Sequence, residues 1–490
     1  MTASNVPSMT NDPLSRADEA VPDASTDEKL GKGLKVRHLT MMGLGSAIGA
    51  GLFLGTGVGI NAAGPGVLLS YLVAGVIVVL VMTMLGEMAA ARPASGAFST
   101  YAEMAFGRGA GFILGWLYWF MLIMVLGAEI TGAGAIMGAW WDIPGWIPGL
   151  ACVVFFAVVN LAKVRGFGEF EFWFAFIKVA VIIGFLVIGV LLIFGLLPGT
   201  TFVGTQHIAE SGFLPNGFSG VAAGLLAVAF AFGGIEIVTI AAAESDDPKR
   251  SIASAVRSII VRIGVFYIGC VLVIITLLPF SQIDDADTAA ESPFTLVLQQ
   301  AGLPGVVGFM EAVIVLALLS AFNAQIYATS RLVYSMARRG EAPHLFTAMN
   351  SQAVPYKAVI MSMIFAFLSV GIQVVFDGSK VLVFLLNAVG GCLLVIWLVI
   401  ALSQIKLRPR LEANDELTVR LPGYPWLSWL AVFMILGLTV MMLFDEVARQ
   451  QVFAVLAVCF FLAVLSALTS STRARARANI DQSPVDGVHH

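Results

Sequence analysis

The sequence predicts an all-α membrane protein with twelve transmembrane helices, and three observations predict it. Of the 490 residues, 59% are hydrophobic and 12% charged, and mean hydropathy is +0.92; a soluble domain carries roughly 25% charged residues. Apolar runs recur at the length of about 20 residues that carries a helix across the hydrocarbon core. Basic residues segregate to alternate loops, as in multi-pass proteins with a fixed orientation. No strand-type alternation competes with this pattern, and a net charge of −4 gives no sign of nucleic-acid binding.

Taken in order, residues 1–32 are polar, acidic and rich in Ser, Thr and Asp. They cannot bury enough apolar surface to fold alone and lack the order of a cleavable signal peptide, so they are predicted to be a disordered cytoplasmic tail. The predicted spans are 39–63, 66–90, 109–139, 147–163, 168–197, 217–243, 255–280, 302–337, 356–376, 380–403, 425–444 and 450–470. Glu87 and Arg92 flank the end of the second span and read as an interface anchor. Asn323 and Tyr327 in the eighth read as helix–helix contacts, and Asn387 in the tenth reads the same way or as a ligand contact. Residues 471–490 form a second polar tail. With the N-terminus inside, the cytoplasmic segments carry clusters such as Lys29, Lys32, Lys35 and Arg37, and Lys406, Arg408 and Arg410. The opposite side carries only Lys380 and Arg449, with acids such as Asp284, Asp285 and Asp287. Both termini are therefore predicted cytoplasmic, in a multi-pass protein of the plasma membrane. The cation left over is Lys178, inside the fifth span.

Two spans are interrupted by glycine. GLGSAIGAGLF (Gly43–Phe53) has four glycines in eleven residues, and AFGGIE (Ala231–Glu236) interrupts the sixth span. Each glycine weakens a helix by about 1 kcal/mol relative to alanine. Unwound backbone is tolerated in a membrane only where it lines a polar cavity or is buried in protein. Breaks at matching positions, five spans apart, point to an inverted-repeat transporter with its site at the midplane. Repeat one is then about 39–197, repeat two about 217–403, and the helices of 425–470 lie outside them, within a membrane domain of 33–470. A half-helix N-terminus suits a carboxylate and a half-helix C-terminus an ammonium, so paired breaks can hold a zwitterion.

GLGSAIGAGLFLGTG, the GEFEFW stretch leading to Lys178, and AFGGIEIVTIAAAESDDPKRSI resemble the bacterial amino acid transporter branch of the amino acid–polyamine–organocation superfamily. The resemblance covers nearly all of residues 33–470. It implies the five-plus-five inverted repeat of LeuT-type carriers with two extra helices, and amino acid uptake driven by protons without a cofactor. It further implies that amides of Gly49, Ala50 and Gly51 face the substrate carboxylate and that the Ala47 carbonyl faces the ammonium. In the sixth span it implies ammonium contacts from carbonyls of Phe230, Gly233 and Gly234, with Phe230 or Phe232 as an aromatic gate. Many relatives have Ser where this chain has Ala50.

Ionisable groups inside spans are functional candidates. Lys178 is deep enough to exchange a proton rather than snorkel, and a lysine at the matching position of proton-driven relatives replaces a sodium ion. Glu236, beside the second break, either caps the unwound backbone or takes part in proton transfer. Glu129 either serves the cavity or makes a structural hydrogen bond. All five histidines lie outside the spans and no phosphate-binding loop occurs, which argues against an enzyme and against ATP as the energy source. A transporter-like amino acid sensor remains the alternative of a different class. The motifs are similar both to aromatic amino acid permeases and to γ-aminobutyrate permeases. Ala321 stands where the latter carry cysteine, and Gly132, Gly233, Gly234 and Ala321 are expected to leave pocket volume for an aromatic ring, so Phe, Tyr and Trp are the expected substrates. Oligomeric state cannot be read from the sequence.

Overall fold

The computed structural model describes residues 48–92, 97–161, 167–236, 248–284, 292–302, 304–350 and 354–470. Both predicted tails and the start of the first span lie outside the described residues. The described chain is helical, with no strand among those residues. The first predicted span falls on α1 (Ala50–Phe53) and α2 (Gly55–Ala63), and the second on α3 (Val67–Ala91). After α4 (Ala97–Phe106), a short helix between spans, come α5 (Arg108–Trp141), α6 (Trp146–Leu161), α7 (Phe167–Ile193) and α8 (Gly217–Ala231). The seventh span is α9 (Pro248–Arg262) and α10 (Gly269–Leu277), joined by a π-helical turn at Ile263–Ile268. After α11 (Pro293–Gln300), the rest are α12 (Val306–Arg338), α13 (Tyr356–Ile372), α14 (Gly378–Ala413), α15 (Trp426–Met442) and α16 (Glu446–Leu468). Among the described residues, seven helical runs are long and apolar enough to cross a membrane, and four shorter apolar helices accompany them.

The helix interiors follow from uninterrupted runs of Leu, Ile, Val, Phe and Ala, whose backbone groups must be satisfied within the segment in lipid. α14 outruns its predicted span because IKLRPRLEA continues the helix as a charged extension beyond the apolar run. Burial sorts the helices. α5 packs against α12 and α14, while α8 packs against α2 and α14, so the helices carrying the two breaks meet in the interior. α16 is peripheral: only 22% of its most apolar window is buried, and Phe460 and Phe461 point outward.

One sequence expectation changes here. Glu87 is not an interface anchor but fully buried. Its carboxylate accepts hydrogen bonds from Gln404 Nε2 (2.8 Å), Arg408 NH1 (2.8 Å) and the Leu421 amide (2.6 Å). Arg408 also stacks on the Tyr424 ring at 4.2 Å. The polar ends of α3 and α14 thus bury one another under the loop leading to α15, a tertiary arrangement that hydropathy does not encode. Arg92 makes its own pair with Glu416 at 2.7 Å, and that guanidinium holds the Glu416 carboxyl below the usual carboxylate range.

Removing one partner of a buried ion pair strands the other charge. Arg408→Met is expected to destabilise the protein by about 3 kcal/mol, read as a lower melting temperature in detergent. Arg420→Met removes an exposed partner of Glu412, and its effect should stay within about 1 kcal/mol. Equal effects of the two variants would contradict a buried Glu87 clamp.

Candidate functional site

The first break is visible from Ile48 onward; Ala47 lies outside the described residues. Gly49 is extended (φ −151°, ψ −146°), one helical turn follows, and Leu54 (φ −111°) interrupts the ladder before α2. The interruption leaves the Phe53 carbonyl without its helical donor, and Ser292 Oγ donates to it at 2.7 Å. At the head of the turn the Ala50 amide donates to both carboxylate oxygens of Glu129, at 3.0 and 3.2 Å. Glu129 comes from α5 and is 3% exposed. The group seated on the first break is thus a carboxylate, and it belongs to the protein itself.

Lys178 on α7 is fully buried, and its Nζ donates to Ser320 Oγ on α12 at 3.1 Å. It lies within electrostatic reach of Glu129. The sequence-singled Lys178 and Glu129 therefore share one neighbourhood, beside the amide of Ala50.

The second break follows α8. Phe232 and Gly233 close tight turns onto the carbonyls of Ala229 and Phe230, each at 3.0 Å. Gly234 has φ +88°, a conformation that favours glycine. Its amide donates to Glu236 Oε1 at 3.2 Å, and the Ala231 carbonyl accepts from Tyr267 Oη at 2.8 Å. Glu236 is 1% exposed, beside Tyr118 of α5 and within electrostatic reach of Arg262. The break is thus held from its neighbours: Tyr267 comes from the π-helical turn of the seventh span.

The two breaks touch. A Cβ on Gly51 would lie 2.7 Å from Ala231 Cα and 2.7 Å from Phe230 Cδ1. Of the two proposed gate residues, Phe230 lies against the first break. Phe232 packs instead into an aromatic cluster, with ring centroids 5.2 Å from Tyr267 and 6.1 Å from Tyr71. Such contacts add about 0.5–1.5 kcal/mol each beyond area burial.

Two further expectations are modified. Lys178 is not the only buried cation within a predicted span: Arg262 is 3% exposed at the end of α9. Its signal, one Arg within VRIGVFYIG, was present in the sequence, but the following apolar run masked it. Gly132 leaves no pocket volume, because Leu54 and Leu318 fill the space beside it. Beside Gly234, by contrast, a Cβ would meet nothing within 4 Å. Asn323 does join helices, accepting from Asn160 Nδ2 at 2.8 Å. Sequence reasoning missed Tyr71, Tyr118, Tyr267 and Ser320, which read there as ordinary span residues, and Ser292, which read as part of the loop between the seventh and eighth spans.

A family model described as amino acid permease matches residues 38–480. An aromatic amino acid transport protein, AroP, of Corynebacterium glutamicum is 67% identical over 454 residues, covering 92% of this chain and 98% of that protein. A γ-aminobutyric acid permease of Bacillus subtilis is 41% identical over 426 residues, 86% of this chain and 90% of its own. AroP of Escherichia coli K12 is 36% identical over 419 residues, 85% and 90% respectively.

The contact between the breaks yields a matched pair of variants. Gly51→Ala would overlap backbone that cannot retreat, whereas a Cβ on Gly55 meets the Ala227 and Ala50 carbonyls at an ordinary 3.5 Å. Overpacking of about 1–3 kcal/mol predicts a loss of uptake of about tenfold for Gly51→Ala at equal membrane abundance. Gly55→Ala should stay within about twofold of wild type. Equal uptake by the two variants would contradict this packing.

Proposed function

The chain belongs to the amino acid permease family, and from that premise we propose that it imports aromatic amino acids, Phe, Tyr and Trp, by proton symport. The observation that carries the substrate reading is the near full-length likeness, at 67% identity, to a protein named for aromatic amino acid transport. The γ-aminobutyric acid permeases at 41–42% identity make γ-aminobutyrate the alternative substrate. The membrane domain is 33–470, crossing twelve times, with 39–197 and 217–403 as inverted repeats and the helices of 425–470 outside them. Residues 1–32 and 471–490 are cytoplasmic tails, and the protein sits in the plasma membrane.

The carboxylate seat at Ala50 supports a mechanism. The substrate carboxylate takes the amides of Gly49, Ala50 and Gly51, and the Ala47 carbonyl together with carbonyls of Phe230, Gly233 and Gly234 takes the ammonium. Phe230 covers the ligand, and the open space beside Gly234 receives part of its side chain. Glu129 fills the seat when substrate is absent, so substrate binding requires Glu129 to leave. It leaves by taking a proton or by turning to Lys178. Hydrogen bonds to a charged group contribute about 1.5–3 kcal/mol, enough to make the empty seat unfavourable and exchange of one carboxylate for another nearly neutral. Glu236, held by the Gly234 amide and within electrostatic reach of Arg262, fixes the second break and is the other candidate in proton transfer. No cofactor is required; the proton gradient supplies the energy.

Substrate class is tested by competition. Unlabelled Phe and Tyr should each suppress uptake of labelled Trp at concentrations where γ-aminobutyrate does not. Suppression by γ-aminobutyrate at lower concentration than any aromatic amino acid would overturn the assignment. Coupling is tested at Lys178. Lys178→Met keeps the side-chain length and removes the charge. In proteoliposomes it should retain counterflow of labelled substrate and lose accumulation driven by an inward proton gradient. Wild-type accumulation by that variant, or accumulation by wild type on a sodium gradient alone, would refute the proposed coupling.

A further inference from the structure

A cavity of about 500 Å³ opens far from the breaks, between the start of α5 and the ends of α12 and α16. Its lining is chemically divided. Arg108 and Arg339 bring charge, Ser466 and Ser470 bring hydroxyls, of which Ser470 Oγ donates to the Ala467 carbonyl at 2.8 Å, and Ile113 and Ala467 bring apolar surface. Arg339 is paired with Glu341 at 2.8 Å, side chains 10% and 7% exposed. Arg108 is exposed and makes no ion pair among the described residues. The surrounding face adds positive charge, since Lys406 Nζ lies 4.8 Å over the Phe106 ring, two residues before Arg108. The sequence after Ser470 continues STRARAR, with Arg473, Arg475 and Arg477.

The geometry points to a binding site for an anionic phospholipid, its phosphate on Arg108 and its acyl chains along α16. Three features argue for this occupant. The cavity adjoins a peripheral helix, whose outer surface includes Val464 and Leu468, so acyl chains can leave it directly into the bilayer. Its one carboxylate, Glu341, is already neutralised by Arg339, which leaves Arg108 as the uncompensated charge. Basic clusters at the end of a membrane helix attract anionic headgroups. The inference does not depend on the substrate or the coupling ion, and its test involves no transport.

Thermal unfolding of the full-length protein in detergent is measured with added phosphatidylglycerol, phosphatidylcholine or inorganic phosphate. Phosphatidylglycerol should raise the melting temperature in a saturable way, and the other two should not. Arg108→Gln should weaken the apparent affinity for phosphatidylglycerol about fivefold, the factor for one basic side chain near an anionic surface. Ala467→Trp, which fills the cavity while leaving every charge, should weaken it as well. Arg420→Gln, a basic residue elsewhere, should leave it unchanged. Wild-type affinity in both cavity variants would overturn the site. An equal shift from inorganic phosphate would overturn the lipid as its ligand.

Discussion

The hydrogen bonds from the Ala50 amide to the Glu129 carboxylate express the constraint on which the rest of the site depends. In hydrocarbon an unwound backbone must find partners inside the protein. Every break therefore recruits side chains from elsewhere in the fold: Glu129 at the head of the first, Ser292 at its interruption and Tyr267 at the second, where Glu236 adds a local contact. A backbone group satisfied by a side chain, rather than by the next helical turn, can change partners without unfolding the helix. That property lets a carrier release one carboxylate and accept another at the same amide.

The buried charges are arranged accordingly. Glu129 and Lys178 lie within electrostatic reach of each other near the first break, and Glu236 and Arg262 near the second. Isolated charges at such depth cost several kcal/mol or more, and pairing reduces that cost. The two pairs differ in chemistry: a lysine can lose its proton, whereas a guanidinium stays charged. Both pairs can change their total charge at the carboxyl group, and the pair containing Lys178 can do so at its cation as well. The Glu87–Arg408 pair obeys the same rule in a structural setting, locking α3 to α14 beneath the loop that leads to α15.

Local signals made much of this legible in the sequence. Predicted spans fall on helices because apolar length is a one-dimensional property, and both breaks were visible because glycine is the residue that permits them. Glu129, Lys178 and Glu236 stood out as charges in apolar runs. What stayed hidden depends on which helix meets which. Glu129 and Ala50 are 79 residues apart, and nothing in either run names the other. Glu87 looked like an anchor because its end of the helix is charged, yet Gln404 and Arg408 enclose it. Gly132 suggested volume, but Leu54 occupies that volume. The roles of Phe230 and Phe232 were separable only once Tyr71 and Tyr267 were placed around the latter.

The central claim is that substrate and Glu129 exchange at one amide seat. Infrared difference spectroscopy of the reconstituted protein, with and without tryptophan, tests it most directly. The account predicts that tryptophan binding shifts a carboxyl band that is absent from the difference spectrum of Glu129→Gln, because the side chain trades a backbone donor for a proton or for Lys178. A difference spectrum with saturating tryptophan in which no carboxyl band depends on Glu129 would contradict it.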